Sequence, residues 1–102
     1  MERLKKLREL LQENPKDSFV RYGLAMEYAR QGRWEEAIGE FRILIAADPD
    51  YVAAYFHAGQ TLEKLGRSDE ARTIYHEGVE AAVRRGDSHA RSELEAALGF
   101  LD

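Results

Sequence analysis

The sequence contains no cysteine, which excludes disulfide scaffolds, thiolate zinc sites and cysteine nucleophiles. Only two prolines, Pro15 and Pro49, occur in its 102 residues. Apolar runs are short, as at Ile43 to Ala47, far below the roughly 20 residues needed to span a bilayer. No apolar stretch follows the charged Glu2-Arg3 start, so no secretory leader is read. Basic residues are not in excess: 15 Lys and Arg stand against 19 Asp and Glu, a net charge of −4. That balance argues against nucleic acid as the main partner. Catalytic signatures are missing as well, with no Gly-rich phosphate loop, no nucleophile elbow and no HExxH. The expectation is a cytoplasmic domain with no cofactor, no bound metal and no membrane span.

Helical spacing is what the sequence has in place of strand-like alternation. Trp34, Ala37, Ile38, Phe41, Leu44 and Ile45 form a stripe down one helix face, and Leu4, Leu7, Leu10 and Leu11 form another. Ala71, Ile74, Tyr75, Val79, Ala82 and Val83 form a third. Six helices are predicted, over 2–13, 17–31, 34–47, 51–64, 68–84 and 87–101, so the fold class is all-α. Pro15 follows Asn14 and Pro49 follows Asp48, and a residue before proline leaves the α region. Gly32 and Gly66 sit just past apolar stretches, as left-handed helix C-termini require. Ser68 and Ser88 are predicted as N-caps. Such short connections make neighbouring helices antiparallel.

An internal repeat is the strongest signal. A shift of 34 residues carries Gly32-Arg33 onto Gly66-Arg67, Glu36-Ala37 onto Glu70-Ala71, Phe41 onto Tyr75 and Pro15 onto Pro49. The same shift carries Leu4, Leu7, Leu10 and Leu11 onto Ile38, Phe41, Leu44 and Ile45. The first helix therefore matches the second helix of a hairpin.

This pattern resembles the tetratricopeptide repeat family. Its matching positions are Leu24, Ala25, Tyr28, Gly32, Trp34, Ala37, Phe41 and Pro49, and then Tyr55, Ala58, Gly59, Leu62, Gly66, Ala71 and Tyr75. The resemblance implies a right-handed helical-hairpin solenoid in a single domain: a half-repeat over 1–16, repeats over 17–50 and 51–86, and a capping helix over 87–102. Small residues at Ala25, Gly59, Ala37 and Ala71 let paired helices approach, and Phe41 and Tyr75 fill the gap between them. Two positions depart from the family pattern. Arg21 stands where a large aromatic is usual, and Val83 where a third proline would fall, so the fifth helix is expected to run on to Arg84-Arg85-Gly86.

The resemblance also implies a function, protein–protein interaction without catalysis. The first helix of each repeat would line a concave groove that takes a peptide or protein segment, with Phe19, Tyr22, Met26, Ala29 and Arg30 in one repeat. Ala53, Phe56, Gln60, Glu63 and Lys64 would line it in the next. Tyr22 and Phe56, one repeat apart, are expected side by side, and Arg30 and Lys64 would set two positive charges at one end. Tyr22 and Met26 replace the Lys and Asn of the family's carboxylate clamp in the first repeat, which argues against that activity. The alternatives are a self-associating, homodimeric module and a fragment of a longer array. His76 and Glu80 share metal-site spacing, but without a second histidine they read as a solvated pair. The basic Arg3, Lys5, Lys6 and Arg8 read as the solvated face of a helix whose leucines pack inward, not as a membrane anchor.

Overall fold

Six α-helices occupy almost all of residues 2–101, the part of the chain that the computed structural model describes. They are α1 (Glu2–Glu13), α2 (Ser18–Arg30), α3 (Trp34–Ala47), α4 (Val52–Lys64), α5 (Ser68–Arg85) and α6 (Ser88–Leu101). Each follows the predicted helix to within a residue or so, and no strand occurs among the described residues.

Glycine sets three of the helix ends. Gly32, Gly66 and Gly86 have φ of 74°, 73° and 66°, the left-handed conformation that a Cβ penalises. Past each glycine the next backbone N–H turns back to a carbonyl five residues earlier: Arg33 to Tyr28, Arg67 to Leu62 and Asp87 to Ala82, each at 2.9 Å. These bonds satisfy carbonyls that a helix end would otherwise orphan. The third such stop comes after Arg85, as the missing proline at Val83 predicts.

The N-terminal ends are capped differently from the sequence expectation. Ser68 and Ser88 are the first helical residues and not caps. Asp87 caps α6 by accepting the Ala90 N–H on Oδ1 at 3.0 Å, and Asp17 does the same for α2 with Val20. A carboxylate next to a serine wins the cap because its full charge meets the positive helix end. Ahead of α3 and α5, Arg33 and Arg67 reach forward to Glu36 and Glu70, so the acidic first turns are held by ion pairs one repeat apart.

Consecutive helices pack antiparallel, α1 on α2, α2 on α3 and so on to α6, with further contacts of α2 on α4 and α4 on α6. Ala25, Ala37, Ala58 and Ala71 are fully buried where these helices cross, and Phe41 and Tyr75 are fully buried between them. Gly59 makes the closest approach: a Cβ there would lie 2.2 Å from the Tyr75 ring. Arg21, out of place by the family pattern, is explained by its contacts. It pairs with Glu40 at 2.6 Å and donates to the Pro15 carbonyl, as Tyr55, one repeat on, donates to the Pro49 carbonyl. The polar guanidinium thus makes the same tie between helix and preceding turn as the phenol.

One leucine departs from expectation. Leu4 is buried and Leu7 and Leu11 pack on the core, but Leu10 faces outward, although its counterpart Leu44 is buried. The reason is geometric: α3 is packed on both sides, by α2 and α4, whereas α1 packs on α2 alone.

Candidate functional site

The first helix of each hairpin, α2 and then α4, faces the same side of the stack, and α6 lies beyond α4 on that side. Between α2 and α4 lies a depression of about 260 Å³ lined by Met26, Ala29, Arg30, Trp34, His57, Gln60, Thr61 and Lys64. Between α4 and α6 lies another of about 390 Å³, lined by Phe56, Gln60, Glu63, Tyr75, Glu93, Ala96, Ala97 and Phe100. Gln60 borders both, so the two depressions lie next to each other along α4.

The two depressions are built alike. On the α4 wall of the first stand residues 57, 60, 61 and 64, and on the α6 wall of the second stand 93, 96, 97 and 100, each 36 further along. The same offset carries Ala54, Leu62 and Leu65 onto Ala90, Leu98 and Leu101. Helix α6 therefore sits as α4 does, with two extra residues before it, and fully buried Leu94 packs on Gly78 of α5. At the position matching Gly59, however, α6 has exposed Glu95, ion-paired with Arg91 at 3.3 Å. A bulky ring such as that of Tyr75 has no gap to enter there, and Arg91, Ser92 and Glu95 are exposed on α6.

The expected groove residues distribute as follows. Met26, Ala29, Arg30, Gln60 and Lys64 meet in the first depression, and Phe56 and Glu63 join Gln60 in the second. Phe19 and Tyr22 line a third hollow with Met26, on the α1 side of α2, where Phe19 is 74% exposed. Tyr22 and Phe56 do not meet. The His57 imidazole stands between them, with ring centroids 5.9 Å from Tyr22 and 5.5 Å from Phe56. Tyr22 leans instead on Phe41 and Tyr51, which ties it to the core. Burial pushes the His57 pKa down, so the ring between the two aromatics is neutral at pH 7.

The expected pair of cations is only half free. Arg30 is bound to Glu27, whose carboxylate is 2% exposed and also meets Gln31 and Arg3. Those hydrogen bonds and charges hold Glu27 ionised, its pKa lowered to about 2. Lys64 instead lies 6.0 Å over the Trp34 ring and pairs with no carboxylate among the described residues. In the second depression, Tyr75 donates to Glu63 Oε2 at 2.5 Å. Burial and that neighbouring carboxylate push the Tyr75 pKa far up, so it remains a donor. His76 and Glu80 are exposed on α5, and no cluster of three metal-ligating side chains occurs among the described residues. No helix of the described residues is long and apolar enough to cross a membrane.

Trp34, His57 and Thr61, and the whole α6 wall, were not expected from the sequence. The 34-residue period reads past α6 because of its two extra residues. Aligning Ala54, Leu62 and Leu65 with Ala90, Leu98 and Leu101 would have found it.

The family model described as Tetratricopeptide repeat matches residues 22–83. A tetratricopeptide repeat domain protein of Salinibacter ruber, solved in solution, has a TM-score of 0.82 and is 37% identical, covering 87% of this chain and 90% of that one. Its crystal structure gives 0.79 and 38%, covering 83% and 96%. A Bordetella parapertussis protein has a TM-score of 0.83 at 28% identity, covering 96% and 85%. Protein DIA2 of Eremothecium gossypii is 28% identical over 78 residues, 76% of this chain. The chain spans only 11% of that protein's length.

Proposed function

The chain belongs to the tetratricopeptide repeat family, and from that premise we propose that it holds a segment of another protein in the groove of α2, α4 and α6. The fold is generally a protein-interaction scaffold rather than a catalyst. The observation that carries the reading is the adjacency of the two depressions along α4: built on equivalent positions, they share Gln60 and present Met26, Trp34, Phe56 and Phe100 to solvent. Apolar surface of this kind, bordered by fixed polar groups, suits an apolar segment with charged side chains at its edges. The reading places the protein in the cytoplasm, without nucleic acid, membrane or cofactor, in keeping with its net charge of −4 and lack of cysteine.

The test is a plug. Gln60 is exposed and borders both depressions, so Gln60→Trp fills the groove while removing nothing from the core. Affinity capture with wild type and this variant, each checked by circular dichroism and melting, should yield a partner held by the first and lost by the second. Partners held equally by both would sink the groove reading. A second reading, self-association through the α1–α2 end, is favoured by the 74% exposure of Phe19 beside half-buried Met26. Sedimentation over a range of concentrations separates them, since Phe19→Ser abolishes association in that case only.

A further inference from the structure

The two depressions of the groove occupy equivalent places but carry opposite charge. The first is bounded by Lys64, with Arg30 neutralised by Glu27, the second by Glu63 and Glu93. We infer that the depression between α4 and α6 is a pocket for a basic side chain, arginine or lysine, of the bound protein segment, an inference that rests on the groove reading above.

Four features fit that occupant. Phe56 lines one wall and Phe100, 91% exposed, the other, so an alkyl stem can lie between two rings and its charge can meet their faces. Ala96 and Ala97, beside Phe100 on the α6 wall, add little bulk to the depression. Glu63 is positioned in advance, since Tyr75 holds Oε2 at 2.5 Å while Oε1 has no partner among the described residues. Glu93 lies 3.8 Å from His89 and its charge also reaches His57, but no hydrogen bond occupies its carboxylate among the described residues, so it too has acceptor capacity to spare. A neutral apolar side chain would leave both carboxylates to be desolvated without compensation, and an acidic one would be repelled. A cation alone meets both the rings and the carboxylates. The depression of about 390 Å³ has room for a long side chain.

Two blocked tetrapeptides test this, one alternating leucine with arginine and one alternating leucine with glutamate, titrated into 15N-labelled protein. The arginine peptide should give saturable shifts at amides of α4 and α6 around Phe56, Glu63, Glu93 and Phe100. Glu63→Gln with Glu93→Gln should weaken it about tenfold, the scale of two solvent-facing charge pairs. The carboxamide introduced by Glu63→Gln would still accept the Tyr75 hydroxyl. Phe100→Ala, at an exposed position, should weaken it several-fold without touching the fold. The glutamate peptide should leave these amides unmoved. Arginine-peptide shifts that persist undiminished in the double variant, or that never saturate, overturn the basic-pocket inference. A glutamate peptide that shifts the same amides overturns it too. The groove reading fails separately, when neither peptide nor any captured partner shifts amides of α2, α4 or α6.

Discussion

A single carboxylate shows how a charge comes to sit inside this fold. Glu27 is 3% exposed, yet Arg30, Gln31 and Arg3 together hold it ionised with a pKa of about 2, against an ordinary value of 4.5. A carboxylate whose pKa is lower folded than unfolded adds stability above the unfolded value, and that stability is lost as pH falls through the folded one. Glu27 therefore stabilises the protein at neutral pH, and its contribution drains away between about pH 4.5 and about pH 2. Glu27→Gln should melt lower than wild type at pH 7, and the gap should close across that window. Melting curves collected at a series of pH values check it. A gap that stays constant down to acid would mean that the side chain acts through packing or neutral hydrogen bonds, not through charge.

Helix against helix, what decides this structure is the room left at each crossing. In α4, Gly59 gives the Tyr75 ring of α5 its place, for a Cβ there would stand 2.2 Å from the ring. Tyr75 cannot yield easily, being fully buried and bonded to Glu63. Gly59→Ala should thus cost about 1–3 kcal/mol by forcing α4 and α5 apart. Gly39 in α3 is the control, since a Cβ there meets nothing within 4 Å. Gly39→Ala should gain up to about 1 kcal/mol from helix propensity alone. Urea titrations of both variants measure the contrast. Equal effects would show that Gly59 matters for chain flexibility rather than for clearance. The first helix makes the same point from the other side: Leu10 stays exposed where Leu44 is buried, because no helix crosses it there.

Across the whole molecule, what could be read from the sequence was whatever the 34-residue spacing carries twice. Gly32 and Gly66, Ala37 and Ala71, Phe41 and Tyr75 each repeat a local requirement, so helix ends and buried faces follow from the chain itself. What could not be read depends on neighbours brought in from elsewhere. His57 separates Tyr22 from Phe56 because of how α2 and α4 are rotated against each other, which no stripe on either helix specifies. The α6 wall, with Glu93 and Phe100, was hidden by two extra residues. Arg30 was expected as an open cation, and its neutralisation by Glu27 lies one turn away on the same helix, legible by spacing but masked by the repeat.

The same one-dimensional order should govern how the molecule opens. In a stack where each helix leans on its neighbours, a local loss spreads only as far as the next interface lets it. Helix α1 leans on α2 alone, through Leu4 and the Arg8 hydrogen bonds to Tyr28, whereas α4 touches α2, α3, α5 and α6. Leu4 and Leu62 are both nearly or fully buried, so truncation of either to alanine should cost about 2–5 kcal/mol. The cost should appear in different places. Leu4→Ala should speed amide exchange in α1 and leave α4 and α5 as slow as before, while Leu62→Ala should speed it from α2 to α6. Hydrogen exchange read residue by residue separates the two patterns. Uniform acceleration by both variants would mean that the hairpins open as one cooperative unit, because α1 would then have to carry stability for helices that it does not touch.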